Sequence, residues 1–442
     1  MNERCPVCNM EYSQNVTKCE LCGFTDELGI NRKWPVAEDA EKWLNTVIKP
    51  YRVKRHEELL ASAKSKYNKD QYDESIRDCN EALRLDPNSS FAYETRGNAY
   101  RMKGQYDESI RDCNEAIRLD PNSSSAYRIR GDAYRMKGQY DEAVRDCNKA
   151  LRLDPNSSFA YRCRGKAYLM KDQYDEAVRD CNEALRLDPN SSSAYRIRGD
   201  VYRMKDQYDE TIRDCNEAIR LDPNSSSAYK IRGVAYGMKG QYDEAIKDCN
   251  EALRLDPNSS DAYRTRGEAY RMKGQYDEAI RDCNEALRLD PNSSSAYECR
   301  GDAYRMKDQY DESIRDCNEA IRLNPNSSFA YECRGDAYLM KGQYDEAVRD
   351  CNEAIKLNPN NSSAYKIRGV VHMMKRQYDE AVRDCNEAIK LNPNSSYAYR
   401  IRGDAYRMKG QKNQAIYDWE KALSLDTNNK WAQERLTEIR KD

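Results

Sequence analysis

The sequence predicts an all-α fold, a solenoid of about eleven helix-turn-helix repeats, and three observations predict it. A fixed step of 34 residues separates Tyr72, Tyr106, Tyr140 and each successor to Tyr378, and Cys79 through Cys385 keep the same step. Each unit holds two stretches whose apolar and aromatic residues recur at three- and four-residue intervals, the helical period. The composition suits many solvated helical faces, with a mean hydropathy of −1.07 and 74 basic residues nearly balanced by 76 acidic ones. A period in this range marks chains in which one hairpin cannot bury its apolar face alone and neighbours stack to do so. Hydropathy this low also occurs in disordered chains, but 34 tyrosines and a net charge of −2 do not fit that composition.

The unit from Ser124 to Ser157 shows how each element arises. Tyr127, Gly131 and Tyr134 share one face of a first helix, and Lys137-Gly138-Gln139 interrupts it. Tyr140, Val144, Cys147, Ala150 and Leu151 mark the face of a second helix. Asp141 and Glu142 in its first turn and Arg152 in its last suit the helix dipole. Asp154-Pro155-Asn156 stops it, because proline cannot continue a helix, and Ser157 or Ser158 can cap the next. Counting a weaker first copy (residues 56–89) and the last (396–429), there are eleven units within residues 52–429.

These residues resemble the tetratricopeptide repeat, whose pattern is W-x2-L-G-x2-Y, then A-x3-F, then A and P. This chain writes Tyr127-x2-Arg130-Gly131-x2-Tyr134, then Ala143-x3-Cys147, then Ala150 and Pro155. The resemblance implies a right-handed αα superhelix. Tryptophan has become tyrosine, leucine arginine, and phenylalanine cysteine. The cysteine reads as a small apolar filler rather than a redox or metal ladder, and in the last unit Trp419 takes its place. The arginine, from Arg96 to Arg402, predicts an ion-pair ladder with the aspartates Asp78 to Asp418. Ser62 stands where the first unit's arginine would be. A pair from each aspartate to the next unit's arginine (Asp78–Arg96, Asp112–Arg130) would leave no arginine over and is the favoured reading; pairing within the unit is the rival. As partly exposed pairs, each would contribute about 0–1 kcal/mol.

Copies within the chain differ most in the first helix. One position reads Glu94, Arg128, Arg162, Arg196, Lys230, Arg264, Glu298, Glu332, Lys366, Arg400. Four residues later come Asn98, Asp132, Lys166, Asp200, Val234, Glu268, Asp302, Asp336, Val370, Asp404. The resemblance implies that first helices line a concave groove and that these spacings face it. The variation is either a tuned binding surface or drift on solvated positions. Further groove arginines are Arg101, Arg135, Arg203, Arg271, Arg305 and Arg407, each beside a methionine of the row Met102 to Met408. At helical spacing that row fits a core, although methionine also suits adaptable binding surfaces. An i,i+4 pair Arg196–Asp200 is expected. Over the three variable charged positions the balance is +5, which favours a peptide ligand of acidic character. Chaperone-binding members of the family grip a C-terminal carboxylate with lysine and asparagine; here Ile, Thr or Cys replaces the asparagine, so that ligand is not expected.

At the N-terminus, Cys5, Cys8, Cys19 and Cys22 form C-x2-C-x10-C-x2-C, four soft ligands suited to a structural Zn²⁺. Iron is a minor alternative and unligated thiols a smaller one. Residues 1–27 look like a zinc ribbon that takes most of its folding energy from the metal. Their net charge of −3 disfavours phosphate and points to protein contact. Residues 28–51 form a linker helix carrying Trp43, Leu44, Val47 and Ile48, ended by Pro50. Residues 430–442, with Trp431, Leu436 and Ile439, form a terminal capping helix.

No apolar run approaches the length of a bilayer span, and MNERCPVCNM lacks the apolar core of a secretory signal. With 17 cysteines, this reads as a reducing, cytoplasmic setting. His56 and His372 do not recur with the repeat, and no phosphate-cradling loop or nucleophile–base pair appears, so no enzyme is expected. The expected function is a scaffold that holds a protein or peptide partner in the groove, with the zinc ribbon as second contact or cap. The alternative is a nucleic-acid-associated adaptor acting through the ribbon; a third is an architectural element that stacks end to end.

Overall fold

The computed structural model describes residues 3–4, 11–12 and 44–439. The chain divides into two compact units, residues 1–222 and 223–442. Among the described residues of the first, strands β1 (Glu3–Arg4) and β2 (Glu11–Tyr12) pair antiparallel, Arg4 opposite Glu11. Helices follow as α1 (Lys49–Tyr67), α2 (Tyr72–Leu85), α3 (Ser90–Met102), α4 (Tyr106–Leu119), α5 (Ser124–Met136), α6 (Tyr140–Leu153), α7 (Ser158–Leu169), α8 (Tyr174–Leu187), α9 (Ser192–Met204) and α10 (Tyr208–Leu221). The second unit carries α11 (Ser226–Met238), α12 (Tyr242–Leu255), α13 (Ser260–Met272), α14 (Tyr276–Leu289), α15 (Ser294–Met306), α16 (Tyr310–Leu323), α17 (Ser328–Met340), α18 (Tyr344–Leu357), α19 (Ser362–Met374), α20 (Tyr378–Leu391), α21 (Ser396–Met408), α22 (Lys412–Leu425) and α23 (Lys430–Ile439). Within each unit, consecutive helices form hairpins that stack on the next pair.

Pro50 does not end a helix. A π-helical turn over Leu44–Ile48 runs straight into α1, and Pro50 stands in the first turn of α1. Ser157 caps α7 by accepting from the Ala160 N–H. Asp154 closes the preceding turn by accepting from the Asn156 N–H at 3.0 Å. Between the helices of a hairpin the chain enters the left-handed region, at Gly138 with φ +76° but at Asp172 with +57° and Arg376 with +61°. Asp172 has a compensation, since it accepts the Tyr174 hydroxyl at 2.8 Å.

The core of each hairpin is made of small side chains. A Cβ added at Gly131 would lie 3.2 Å from Cys147 Sγ and 3.3 Å from the Ala143 carbonyl, so helix α5 sits against α6 at a distance only glycine allows. The described cysteines along the repeats are buried and none forms a disulfide, and burial pushes thiols such as Cys181 and Cys249 up to about 12, which keeps them inert. At the end of the second unit Trp419 is fully buried, its ring edge-on to Trp431 at 6.0 Å, and Leu436 of α23 joins the same cluster.

The ion-pair ladder runs within repeats, opposite to the favoured sequence reading. Arg130 Nε and Nη2 donate to the two Asp146 oxygens at 2.7 and 2.8 Å, and Nη1 reaches the preceding repeat's Asn114 Oδ1 at 2.6 Å. Arg96–Asp112 and Asn80 repeat the arrangement. Asp78, expected to pair forward, takes Lys66 at 2.7 Å instead. The count of arginines misled because a lysine one turn beyond Ser62 supplies the missing charge. The pairs are also more buried than expected, with the Asp146 side chain 10% exposed. Burial alone would lower the Arg130 guanidinium, but the Asp146 hydrogen bond and charge outweigh it and hold it above its ordinary value.

Candidate binding groove

In each unit the first helices of neighbouring repeats touch one another, α5 to α7 and α15 to α17 for example, whereas second helices make no comparable contact among the described residues. The first helices therefore form the closer-spaced, inner layer. Glycine and the Arg–Asp fork turn one face of each first helix toward its second helix. The residues five and nine places after the N-cap serine, such as Arg128 and Asp132 after Ser123, turn elsewhere along the helix.

In the first unit this layer carries a basic cluster around a half-buried Phe159. Arg128 and Arg162 lie over its ring at 4.5 and 4.8 Å, and Arg101 at 5.8 Å. A cavity of about 270 Å³ opens there, lined by Phe159, Arg162, Lys166 and Arg196 among others. Two carboxylates are already held. Asp132 takes Arg101 and Arg135, both at 2.7 Å, and Asp200 takes Arg203 at 2.8 Å and Lys166 at 3.3 Å. The expected pair Arg196–Asp200 does not form, because Arg203 and Lys166 occupy that carboxylate.

Arg128, Arg162 and Arg196 are left without a carboxylate partner among the described residues. Arg162 donates to Ser193 Oγ, and Arg128 makes a long contact of 3.5 Å to Ser125 Oγ. Burial lowers all three guanidiniums from their ordinary value, and neighbouring cations such as Arg101 and Arg135 lower them further. Lys166 is lowered by burial too. Positive charge is thus concentrated where water is scarce, a condition that an anion would relieve.

The other groove residues lie in the second unit. Lys230 pairs with Asp261 at 2.9 Å, and Arg264 stands 4.0 Å from the same residue. Arg271 is held by Glu268 and Asp302, both at 2.5 Å. Arg305 binds Asp302 and Asp336, both at 2.6 Å. A cavity of about 300 Å³ there is lined by Phe329, Glu332, Asp336, Lys366 and Tyr397 among others. It repeats the first cavity five repeats later with much of the charge reversed. Arg101, Asp132, Arg135, Phe159 and Cys163 return as Arg271, Asp302, Arg305, Phe329 and Cys333, while Arg128, Arg162 and Lys166 become Glu298, Glu332 and Asp336.

The methionine row is not core. Met102 through Met408 are between 41% and 63% exposed, and Arg135 Nη2 lies 3.1 Å from Met136 Sδ. Ile129, Cys163 and Ile197, which replace the asparagine of the carboxylate-gripping members, are buried and carry no side-chain amide. The central role of Phe159 was not read from the sequence. Its signal is there, since Phe159 stands three residues before Arg162 and one repeat less three after Arg128. His372 accepts or donates to Gln377 at 2.7 Å and faces Asp384 at 3.6 Å, a structural setting. Cys5, Cys8, Cys19 and Cys22 lie outside the described residues. Among the described residues no group of His, Cys, Asp and Glu is arranged to hold a metal ion, and no helix is long and apolar enough to cross a membrane.

Helix hairpins repeated at one step and joined by Arg–Asp forks define a helical-repeat protein. The chain belongs to the tetratricopeptide repeat family: models of that repeat match residues 158–191, 226–259, 260–293, 328–361 and 362–395, residues 60–124 and 95–158, and residues 283–315, 301–342 and 396–429. Among solved structures, the APC/C hetero-tetramer Cut9-Hcn1 is similar at 14% identity over 90% of this chain and 99% of its own, with a TM-score of 0.56. A tetratricopeptide repeat protein from Parabacteroides merdae shares 22% identity over 57% of this chain and 99% of its own, with a TM-score of 0.45. Yeast Tom70 shares 17% over 88% and 96%, with a TM-score of 0.39. At 14% identity the first likeness shows the fold alone, and the other two add nothing to it. No curated protein matches the chain. The tetratricopeptide scaffold is commonly used for protein–protein interaction.

Proposed function

We propose that the chain is an interaction scaffold whose first unit holds an acidic peptide against the inner helices α5, α7 and α9. The observation that carries this reading is the trio Arg128, Arg162 and Arg196, sheltered around Phe159 and without carboxylate partners among the described residues. Their presence is not a folding requirement, because the second unit builds the same frame with Glu298, Glu332 and Lys366. Charged groups kept unpaired at partial burial cost stability, and a ligand of opposite sign recovers it.

The N-terminal module is read as a structural zinc ribbon that acts as cap or second contact. Cys5, Cys8, Cys19 and Cys22 would hold Zn²⁺ as thiolates, which supplies folding energy and no reaction.

The test is fluorescence anisotropy with a labelled nine-residue peptide rich in glutamate, against glycine-serine and lysine-rich peptides of equal length. The glutamate peptide should bind most tightly, and Arg128→Glu with Arg162→Glu should abolish binding. Equal affinity for the glutamate and glycine-serine peptides would refute the reading.

A further inference from the structure

The cluster around Phe159 is more selective than a generally basic groove. Three guanidiniums come from equivalent places on three consecutive first helices, so they converge from one side in single file. Two of them flank Phe159, which is therefore already covered on its ring by cations at 4.5 and 4.8 Å and is not free to stack on a nucleobase. Ser193 adds a hydroxyl beside Arg162. The two nearby carboxylates, Asp132 and Asp200, are each saturated by two other cations, so they neither neutralise the trio nor repel a ligand at full strength. Lys166 extends the same wall.

A single carboxylate carries one charge and two acceptor oxygens, too few for three guanidiniums. A phosphoryl group carries close to two charges and three strong acceptor oxygens, and arginine forks match it in pairs of parallel hydrogen bonds. The cavity of about 270 Å³ admits such a group together with the side chain that bears it. The second unit supplies an internal contrast. There Asn361 donates to Glu332 at 2.8 Å, and the equivalent wall is acidic, so this frame tolerates either sign and the first unit's charge is a choice of ligand.

We propose that the pocket lined by Arg162, Arg196, Lys166 and Phe159, with Arg128 against the Phe159 ring beside it, recognises a phosphorylated side chain within an acidic peptide. This rests on the acidic-peptide reading and narrows it: phosphorylation of the partner switches capture on.

The experiment uses the full chain and three labelled peptides, Gly-Glu-Glu-Gly-X-Gly-Glu-Glu-Gly, in which X is phosphoserine, glutamate or serine, with a nine-nucleotide single-stranded RNA as a fourth probe. The phosphoserine peptide should bind at least tenfold tighter than the glutamate peptide. Its advantage should shrink between pH 7 and pH 5 as the dianion gains a proton near pH 6, a range in which the glutamate peptide does not titrate. Arg128→Glu, Arg162→Glu and Arg196→Lys with Lys166→Asp copy residues that the second unit already carries, so the variant should fold, as helical signal will check. It should lose the phosphoserine preference. Should that variant unfold, Arg162→Gln alone should reduce the preference severalfold. If the phosphoserine and glutamate peptides bind equally and both exceed serine, the phosphoryl assignment falls while the acidic-peptide reading stands. If none exceeds serine, the phosphoryl assignment falls, and the acidic-peptide reading falls with it only if the serine peptide, which keeps four glutamates, binds no better than a glycine-serine peptide of equal length. RNA binding tighter than the phosphoserine peptide, abolished by the same variant, would overturn the assignment in favour of nucleic acid.

Discussion

Replacing Arg130 by alanine tests the internal ladder. The guanidinium makes two hydrogen bonds to Asp146 and one to Asn114 of the repeat before it. Asp146 is buried, so removing its partner leaves a carboxylate with little water to replace the lost donors. Breaking a fully buried pair costs about 3–5 kcal/mol. Here the Arg130 side chain is 18% exposed and water can enter beside it, so the expected loss is about 2–4 kcal/mol. Losing the tie to Asn114 contributes roughly 1 kcal/mol of that. A long repeat array need not unfold in one step, so the measurement is native-state hydrogen exchange at the amides of α5 and α6. A double-mutant cycle of Arg130→Ala with Asp146→Ala should give a coupling of about 2 kcal/mol, and the cycle with Asp112→Ala much less. A single-variant loss below about 1 kcal/mol would mean the fork behaves as an exposed surface pair. Stronger coupling to Asp112 would restore the pairing between repeats and refute the assignment made here.

Burial pushes the Asp404 carboxyl up to about 7, against the pull of Arg400, the Trp419 N–H, Arg435 and Arg407. Between its unfolded value of about 4 and 7 the folded state keeps a proton that the unfolded state has lost, so stability falls as pH rises through that window. Amides of α21 and α22 should be better protected at pH 5 than at pH 8, by about 1–3 kcal/mol, and Asp404→Asn should remove the difference; an identical difference in the variant would count against this. Arg376→Gly should stabilise its hairpin by about 0.5–1 kcal/mol in thermal melts, since glycine accepts positive φ without strain. Asp172→Gly should gain less, because it loses the Tyr174 hydrogen bond. Zinc removal by a chelator should release the first 26 residues to protease and leave the circular-dichroism helix signal nearly unchanged; a large helix loss would contradict the separation of the module.

Periodicity made the hairpins legible, down to a cap at Ser157 or Ser158 and Pro155 as stop, because those signals act within a few residues. It could not give the direction of the ladder. An arginine sits 16 residues before one aspartate and 18 after another, and both spacings put them on adjoining helices; only the tilt of α5 against α6 decides. The methionine row failed for a related reason. A helical interval identifies residues on one face, but Met136 stands in the last turn, where the face has passed beyond its partner helix. The basic positions of the groove were readable from the differences among copies. Their distinction into paired Arg135 and Arg203 and unpaired Arg162 and Arg196 was not, since it depends on which side chain reaches Asp132 or Asp200 first. The four zinc-type cysteines remain a reading of spacing alone.

The concealed thiols have a practical consequence. Nearly every repeat carries a cysteine with no access to solvent, and nearly every one is at the same depth beneath the same glycine. An alkylating reagent can therefore mark a repeat only while that repeat is transiently ajar. Mass spectrometry of the tagged peptides would then chart, hairpin by hairpin and without any engineered label, where the stack breathes and which segments fall quiet when a guest is seated.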